Sequence, residues 1–310
     1  MTRVAGIDCG TNSIRLLVAD LSGDGLTEVL RTMEIVRLGE GVDRTGRLSE
    51  AALERTRVAL EGYAATIADL GASQVRMVAT SASRDAENAD DFRAMVRGVL
   101  GEDPEVITGD EEARLSFTGA VRGLRAEGPY LVVDIGGGST EFVLGTSSVD
   151  AARSVDIGCV RLTERHLHGD PPTAAQIAAA EADIRAAVAL ARQAVPVEQA
   201  RTLVGLAGSV TTVTALALGL TEYDSARIHH ARVTYDEVAR VTAMLLGATR
   251  AERAALPVVH PGRVDVIGAG ALVLRVLMEE VGAGELIASE HDILDGIALS
   301  VVPDLARDAG

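Results

Sequence analysis

Hydrophobic and polar positions alternate along several short stretches of the chain, and glycine-containing turns separate these stretches. Residues 4–7 form an apolar run, and the apolar residues within 14–18 occupy alternate positions, which predicts two strands joined by a turn. Residues 131–135 and 142–144 repeat the arrangement, with three glycines in the turn between them. The pattern therefore predicts two similar β-hairpins that lie more than 100 residues apart in the chain.

Longer segments carry apolar residues at helical spacing, and two of them have recognisable ends. Ser49 and Gly71 bracket one helix as N-cap and C-terminal glycine, and Thr173 with Gln176 forms a capping-box signature before an Ala-rich helix. Further strands are predicted at 75–79, 105–108, 155–162, 203–206, 232–234 and 285–288. Strands that alternate with helices over 310 residues predict an α/β fold with about two domains.

The two hairpins suggest that these domains are related, although chance similarity of two Gly-rich hairpins is the alternative. In the second hairpin, the consecutive glycines Gly136, Gly137 and Gly138 lack Cβ atoms, so their N–H groups can approach an anion closely. Carboxylates and hydroxyls stand beside this turn at Asp134, Ser139, Thr140 and Glu141. Hard oxygens bind Mg²⁺, so the turn suits a phosphate with a divalent cation. A glycine-rich hairpin without a ligand remains the other interpretation.

Three other segments have the composition of phosphate contacts. The first hairpin turns through Gly10, Thr11, Asn12 and Ser13, directly after a strand that ends near Asp8. The strand at 203–206 runs into Gly208 and Ser209 at the start of a helix, where N–H groups favour anions. Arg84 follows the strand at 75–79, at the edge where ligands collect in α/β sheets. The alternative for Gly208 and Ser209 is tight packing of the glycine between strand and helix, and the alternative for Arg84 is an ordinary solvated arginine.

Composition narrows the chemistry that is possible. The formal net charge of −16 argues against nucleic acid and against an anionic membrane as partners. The sequence contains no lysine, which excludes a P-loop lysine, a Schiff-base lysine and the strand lysine of protein kinases. A phosphate site in this chain must therefore rely on arginines, backbone N–H groups and metal.

Cellular location and metal binding can also be judged from residue types. Cys9 and Cys159 are too few for a disulfide framework, and no signal peptide is recognised, so we expect a reducing cytoplasm. No apolar run approaches the roughly 20 residues of a membrane span. The histidines lack convincing metal-ligand spacing, and we interpret four of them as structural or surface residues: His229, His230, His260 and His291.

Two adjacent glutamates begin the helix that is predicted to start near residue 109. Acidic residues in a first helical turn are ordinarily explained by the helix dipole. A carboxylate there could alternatively act as a general base if the helix start faces the phosphate site. Spacing alone does not decide between Glu111 and Glu112, since the rotation of the helix determines which one faces the site.

Taken together, these motifs resemble the exopolyphosphatase/guanosine pentaphosphate phosphatase family, within the acetate and sugar kinase/Hsp70/actin superfold. The resemblance extends from Gly6 to Glu290, almost the whole chain. Its most specific part is the segment Gly109-Asp110-Glu111-Glu112-Ala113 followed by the turn from Asp134 to Glu141. Sugar kinases share the phosphate loops but lack this combination. The chain resembles the short, two-domain form of the family.

The resemblance implies an α/β fold of two ribonuclease H-like (actin-like ATPase) domains, with mixed sheets flanked by helices and an active-site cleft between them. It places the N-terminal domain at 1–124 and the C-terminal domain at 125–296. A C-terminal helix at about 297–310 is expected to pack back on the N-terminal domain.

The resemblance also implies an activity, the hydrolysis of terminal phosphate from inorganic polyphosphate, which some family members extend to guanosine pentaphosphate. Glu112 takes the catalytic position, and Asp8, Asp134 and Glu141 take positions that organise Mg²⁺. The implied phosphate-binding residues are Gly10, Thr11, Asn12, Ser13, Arg84, Gly136, Gly137, Gly138, Ser139, Thr140, Gly208 and Ser209. A homodimer is an expectation from the family. The competing hypotheses are an ATP-dependent kinase of the same superfold and a guanosine-phosphate sensor without turnover.

Overall fold

The computed structural model describes residues 2–22 and 25–301, which form two compact units. The first unit contains the chain up to Gly119 and the segment that begins at Ile293, and the second contains Ala120–Asp292. These changes of unit lie a few residues before the predicted domain limits at 124 and 296. The predicted C-terminal helix begins earlier than expected and belongs to the first unit, while residues 302–310 and part of the predicted turn at 22–25 lie outside the described residues.

Eleven strands and thirteen helices are found in the described residues. The strands are β1 (Thr2–Cys9), β2 (Ser13–Ser22), β3 (Gly25–Ile35), β4 (Gln74–Ala79), β5 (Glu105–Val106), β6 (Tyr130–Ile135), β7 (Thr140–Gly145), β8 (Val149–Val155), β9 (Thr202–Leu206), β10 (Arg232–Thr234) and β11 (Glu285–Ala288). The helices are α1 (Val42–Thr45), α2 (Glu50–Leu70), α3 (Ser81–Asp85), α4 (Ala89–Leu100), α5 (Gly109–Val121), α6 (Cys159–His166), α7 (Ala174–Ala194), α8 (Ala207–Ala217), α9 (Ser225–Ile228), α10 (Tyr235–Gly247), α11 (Arg250–Ala254), α12 (Ile267–Val281) and α13 (Ile293–Ser300). None of these helices combines the length and the apolar character needed to cross a bilayer.

The first unit is a mixed sheet with the strand order β3-β2-β1-β4-β5. Strand β2 is buried on both faces because its alternate side chains enter different cores. Ile14, Leu16 and Val18 pack against α2 and α4, whereas Leu17 and Leu21 pack against α13. Burial of each such side chain contributes about 1.5–3 kcal/mol, so the helices on both faces are needed to stabilise this sheet.

The second unit is a mixed sheet with the strand order β10-β11-β9-β6-β7-β8, and most of its buried apolar residues form one core. Helices α7, α10 and α12 contribute to that core, and the capping box predicted at Thr173 and Gln176 is present at the start of α7. The mixed sheets with helices confirm the predicted α/β fold.

One predicted strand is wrong. The sequence suggested a strand at 155–162, but β8 ends at Val155 and α6 begins at Cys159. The apolar residues of this segment fit either period, because they are too few to distinguish a strand from a short helix. Gly158 decides the outcome: a Cβ at this position would overlap the backbone of Gly137 and Gly138, so the chain passes directly against the preceding turn and starts a helix there.

Candidate functional site

The two predicted hairpins have the same turn. In β1–β2 the N–H of Gly10 donates to the carbonyl of Ser13 at 2.9 Å, and in β6–β7 the N–H of Gly136 donates to the carbonyl of Ser139 at 3.0 Å. An aspartate precedes each of these glycines by two residues, Asp8 in the first hairpin and Asp134 in the second. Both turns follow a strand that pairs in parallel with its other neighbour, β1 with β4 and β6 with β9. The repeated hairpin of the sequence is therefore confirmed as a repeated local structure.

In the second unit, the turn is fixed through its carbonyl groups. The N–H of Cys159 donates to the carbonyl of Gly136, and the N–H of Val160 and that of Arg161 donate to the carbonyl of Gly137, at 2.9–3.1 Å. The guanidinium of Arg161 donates to the carbonyl of Gly138 at 2.7 Å. Within the described residues, the N–H groups of Gly137 and Gly138 have no protein acceptor. The start of α6 thus holds the turn with two N–H groups available to an anion.

The first unit fixes its turn in the same way with different partners. The carbonyl of Thr11 accepts from the N–H of Gly39, and the carbonyl of Asn12 accepts from the N–H groups of Val36 and Arg37, at 2.8–3.2 Å. No acceptor for the N–H of Thr11 or that of Asn12 is found in residues 2–22 and 25–301. In both hairpins the carbonyls therefore stabilise the turn, and the central N–H groups are left for a ligand.

The residues opposite the two aspartates differ in charge. Asp8 lies across from Arg15, whose Nη2 and Nε donate to Asp8 Oδ2 at 2.7 and 3.0 Å. Asp134 lies across from Glu141, so two carboxylates leave the same face of the sheet with Cβ atoms about 5 Å apart. Both are buried, and Ser154 Oγ donates to Glu141 Oε1 at 2.7 Å. Two ionised carboxylates this close repel each other unless a cation or a proton lies between them.

Helix α5 places its two adjacent glutamates against different arginines. Glu112 is 8% exposed, and its Oε2 accepts from Arg84 Nη1 at 3.2 Å, while the same nitrogen donates to the carbonyl of Ile107 at 3.0 Å. The side chain of Glu111 is 44% exposed and pairs with Arg76 at 2.7 Å. Glu112 is therefore buried beside Arg84, whereas Glu111 is partly exposed and points to another arginine.

The third loop lies where β9 meets α8. Ala207 has a φ of 66°, a left-handed conformation that strains a residue with a Cβ. At the next position a Cβ would overlap the guanidinium of Arg263, so Gly208 is required for this arginine to pack directly on the helix start. Burial raises the pKa of the Cys159 thiol, and Ser209 and Arg263 act in the opposite direction, which places both near the start of α6. Arg263 is therefore a cation beside two of the predicted loops.

In each unit the predicted site residues gather at the carboxyl ends of parallel strands, where α/β sheets bind ligands. In the first unit, the turn after β1 and the segment with Arg84 are joined by a 2.8 Å hydrogen bond between Thr11 Oγ1 and Ser81 Oγ, and Glu112 joins them through Arg84. In the second unit, the turn after β6 and the loop with Gly208 and Ser209 follow neighbouring strands.

Two predicted phosphate-binding hydroxyls are engaged within the protein. Thr11 Oγ1 bonds to Ser81 Oγ, and Thr140 Oγ1 donates to the carbonyl of Ile157 at 2.8 Å. Thr140 is also fully buried. For these two residues the structure shows a part in holding the turns, and a contact with phosphate through the hydroxyl stays a prediction.

The sequence interpretation missed Arg15, Gly158 and Arg263. A residue-by-residue alignment of the two hairpins would have found Arg15, because it stands two residues after Ser13 just as Glu141 stands two residues after Ser139. Gly158 and Arg263 carry no local signal, since their importance arises from contacts with Gly137 and Gly208 across the unit.

The candidate metal site consists of two opposed carboxylates, and the protein does not surround it with a full set of ligands in the described residues. In the part of the chain that the structure describes, no three His, Cys, Asp or Glu side chains are grouped so that they could hold a metal ion by themselves. Mg²⁺ does not need such a cage, because it retains waters and binds through one or two carboxylates together with substrate phosphates. The opposed pair Asp134 and Glu141 fits that requirement.

Comparisons with a family model, with protein sequences and with solved structures all match this chain to phosphatases of one family. The family model described as the Ppx/GppA phosphatase family matches residues 17–305. Exopolyphosphatase 2 of Mycobacterium tuberculosis (strain H37Rv) is 54% identical over 97% of this chain and 99% of its own length. A crystal structure of an exopolyphosphatase-like protein superposes with a TM-score of 0.94 at 45% identity, covering 98% of this chain and all of that one. Guanosine-5′-triphosphate,3′-diphosphate pyrophosphatase of Aeromonas salmonicida is 30% identical over 94% of this chain and 58% of its own length.

Proposed function

Because the chain belongs to the Ppx/GppA phosphatase family, we propose that it is an exopolyphosphatase, which hydrolyses the terminal phosphate of inorganic polyphosphate to orthophosphate. The observation that carries the proposal is the 54% identity, over nearly the full length of both chains, to a protein named exopolyphosphatase 2. The turns with available N–H groups and the buried glutamate beside an arginine support the same chemistry.

Glu112 is our candidate for the general base. Hydrolysis requires an oriented water and a group that accepts its proton, and a positioned carboxylate typically contributes about 10²–10⁴-fold to such a step. Glu112 is buried, and its Oε2 accepts a hydrogen bond from Arg84. Glu111 is engaged by Arg76 and is the weaker candidate.

Asp134 and Glu141 are our candidates for holding Mg²⁺. Their opposed carboxylates favour a cation, whereas Asp8 already faces the guanidinium of Arg15, so our proposal leaves Asp8 out of the metal site in which the resemblance places it. Bound Mg²⁺ would supply neutralisation of the negative charge on the phosphate oxygens. Within the protein, Ser154 orients Glu141, and the strand pairing holds the two carboxylates side by side.

The phosphate chain itself would be bound by N–H groups and arginines. The candidates are the N–H groups of Thr11, Asn12, Gly137 and Gly138, the hydroxyls of Ser13, Ser139 and Ser209, and the guanidinium groups of Arg84 and Arg263. Arginine is suited to paired hydrogen bonds with phosphate oxygens. These local cations and dipoles offset a net charge of −16, which would otherwise repel a polyanion.

The test of this proposal is incubation of the purified protein with polyphosphate and Mg²⁺, without a nucleotide. We expect release of orthophosphate, and we expect Glu112→Gln to lower kcat at least about 10²-fold while the fold is retained. Orthophosphate that appears only after ATP and an acceptor are added would instead establish the kinase alternative. Binding of guanosine phosphates without any turnover of either substrate would establish the sensor.

Guanosine pentaphosphate is a second candidate substrate, which the similarity to the pyrophosphatase of Aeromonas salmonicida supports. Parallel assays with guanosine pentaphosphate and with polyphosphates of several lengths would rank the substrates by kcat/KM. A homodimer and a cytoplasmic location stay predictions from the sequence.

A further inference from the structure

Arg76 connects three segments of the first unit. Its Nη2 donates to Glu105 Oε2 on β5 and to Glu111 Oε1 in the first turn of α5, both at 2.7 Å. Its Nη1 donates to Ser300 Oγ at the end of α13, at 2.6 Å. The side chain of Arg76 is only 17% exposed, so water screens these contacts less than it screens a surface ion pair. Arg76 therefore links strand β4 to the helix that carries Glu112.

The axis of α5 and the orientation of its first turn are held by different contacts. Further along the helix, a Cβ at position 296 would overlap the backbone of Leu115, so α5 and α13 cross in direct contact at Gly296. The first turn begins at Gly109, the residue type with the greatest backbone freedom, and Thr108 Oγ1 caps it by accepting from the N–H of Glu111 at 3.2 Å. The ion pairs of Glu111 and Glu112 add contacts that orient this turn.

The ion pairs of Glu111 and Glu112 hold the first turn of α5 from two directions. Consecutive helical residues are separated by about 100° around the axis, so the two carboxylates point in different directions. Glu112 is held by Arg84, and Glu111 is held by Arg76. A rotation or fraying of this turn would break the Glu111–Arg76 pair and move the Glu112–Arg84 pair. Each ion pair therefore supports the position of the other.

We propose that Arg76 is a positioning residue for hydrolysis: through Glu111, it holds the first turn of α5 so that Glu112 faces Arg84. This proposal rests on the proposed role of Glu112 as the base. Arg76 itself acts only through Glu111. The inference also gives the adjacent glutamates separate tasks, with Glu111 as the anchor and Glu112 as the reacting group.

The size of the effect follows from the sensitivity of catalysis to position. A misplacement of about 1 Å can cost about 10²-fold in rate, so a first turn that is loosened but still formed should cost less, about tenfold. We expect Arg76→Met and Glu111→Gln each to lower kcat by about tenfold and to leave the KM for polyphosphate within about twofold. The double variant should lose no more than Arg76→Met alone, because both substitutions remove the same link.

Glu105→Gln is the matched control. Glu105 also pairs with Arg76 at 2.7 Å, and its side chain is 53% exposed against 44% for Glu111, but it lies on β5 and not on α5. This variant should retain the wild-type kcat. Arg76→Lys, which keeps the charge, should recover part of the activity that Arg76→Met loses.

Three results would overturn the proposal. The first is a normal kcat in both Arg76→Met and Glu111→Gln. The second is a loss of kcat in Glu105→Gln that equals the loss in Glu111→Gln. The third is a loss in Glu111→Gln as large as that expected for Glu112→Gln while Arg76→Met stays active. The last result would make Glu111 the base.

Amide hydrogen exchange separates this proposal from the proposed function. Residues 109–113 should exchange faster in Arg76→Met and in Glu111→Gln than in the wild type and in Glu105→Gln. That measurement needs no activity, so it judges the link between Arg76 and α5 even if polyphosphate proves not to be the substrate. Unchanged exchange at 109–113 in both variants would refute the link.

Discussion

The hairpins β1–β2 and β6–β7 are built on the same plan and carry opposite charge arrangements. Each has an aspartate, a glycine two residues later and a turn closed onto a serine carbonyl. Opposite the aspartate, the first hairpin has Arg15 and the second has Glu141. The first pair is therefore an aspartate–arginine ion pair, whereas the second consists of two carboxylates, an arrangement that suits a cation.

The difference shows how a repeated structural unit can support two chemical tasks. In both hairpins the N–H groups at the centre of the turn are available to an anion, so under our proposal the backbone would bind phosphate at both turns. The side chain on the neighbouring strand then decides whether the aspartate is neutralised by an arginine or forms an acidic pair. A single position in each copy thus separates the first turn, for which we propose phosphate binding alone, from the second, for which we also propose Mg²⁺ binding.

The largest effect is expected from Glu141→Gln, which removes one of the two opposed carboxylates. Loss of a preorganised electrostatic group typically costs about 10²–10³-fold in kcat, and we expect a loss of that size in polyphosphate hydrolysis. Ser154→Ala is the control, because it removes the hydrogen bond to Glu141 without changing the charge, and it should cost severalfold at most. Activity in Glu141→Gln above about a tenth of wild type would remove the distinction between the hairpins.

A smaller effect, on stability, is expected from Arg15→Met in the first hairpin. Asp8 is 5% exposed, and removal of one partner from a buried ion pair costs about 3–5 kcal/mol, so the unfolding free energy of the first unit should fall by about 3 kcal/mol.

Arg3→Met is the matched control for Arg15→Met in the same two strands. Arg3 pairs with Asp20 across β1 and β2, but the side chains of this pair are 37% and 18% exposed against 19% and 7% for Arg15 and Asp8, so it should contribute less. Denaturant unfolding of both variants checks the comparison. Equal losses would mean that the Asp8 pair is no more important than a surface pair.

The smallest effect concerns pH, and it distinguishes the units because all six histidines lie in the second one. Burial and the neighbouring His291 lower the pKa of His230, whose ring stacks on that of His229 at 3.7 Å. The unfolded chain then binds a proton at His230 more readily than the folded one. The second unit therefore has its full stability with respect to this group above about pH 6.5 and loses stability as the pH falls further.

His230→Asn should reduce the destabilisation of the second unit by acid. Asparagine suits this position because His230 has a φ of 64°, which asparagine tolerates. Thermal unfolding between about pH 5 and 8 checks the prediction, with the exposed His168→Asn as control. If both variants lose stability in acid as the wild type does, the burial of His230 has no part in the acid destabilisation of the second unit.

Local sequence signals predicted much of the fold because they act over few residues. The Thr173 capping box, the cap at Ser49 and the short strands β10 and β11 are found where the sequence places them. The segment 155–162 was misjudged because its helix start depends on Gly158 packing against a turn more than 15 residues earlier.

The sequence predicted the turns of the candidate site and the acidic residues beside them, but it did not predict which arginines lie next to them. Glycines and acids in a short motif mark the turns, whereas Arg263 reaches Gly208 from a separate segment, and no local pattern indicates this. Our proposal of Glu112 over Glu111 likewise depends on the positions of Arg76 and Arg84, since adjacent residues on a helix differ only in direction.

The measurement that tests the central claim most directly is a Mg²⁺ titration of orthophosphate release from polyphosphate by the wild type, Asp134→Asn and Asp8→Asn. If the acidic hairpin holds the cation, Asp134→Asn should raise the half-saturating Mg²⁺ concentration by at least about tenfold, which corresponds to roughly 1.4 kcal/mol. Asp8→Asn should leave that concentration near the wild-type value, whatever it does to kcat. An unchanged requirement in Asp134→Asn, or an equal increase in both variants, would contradict the account.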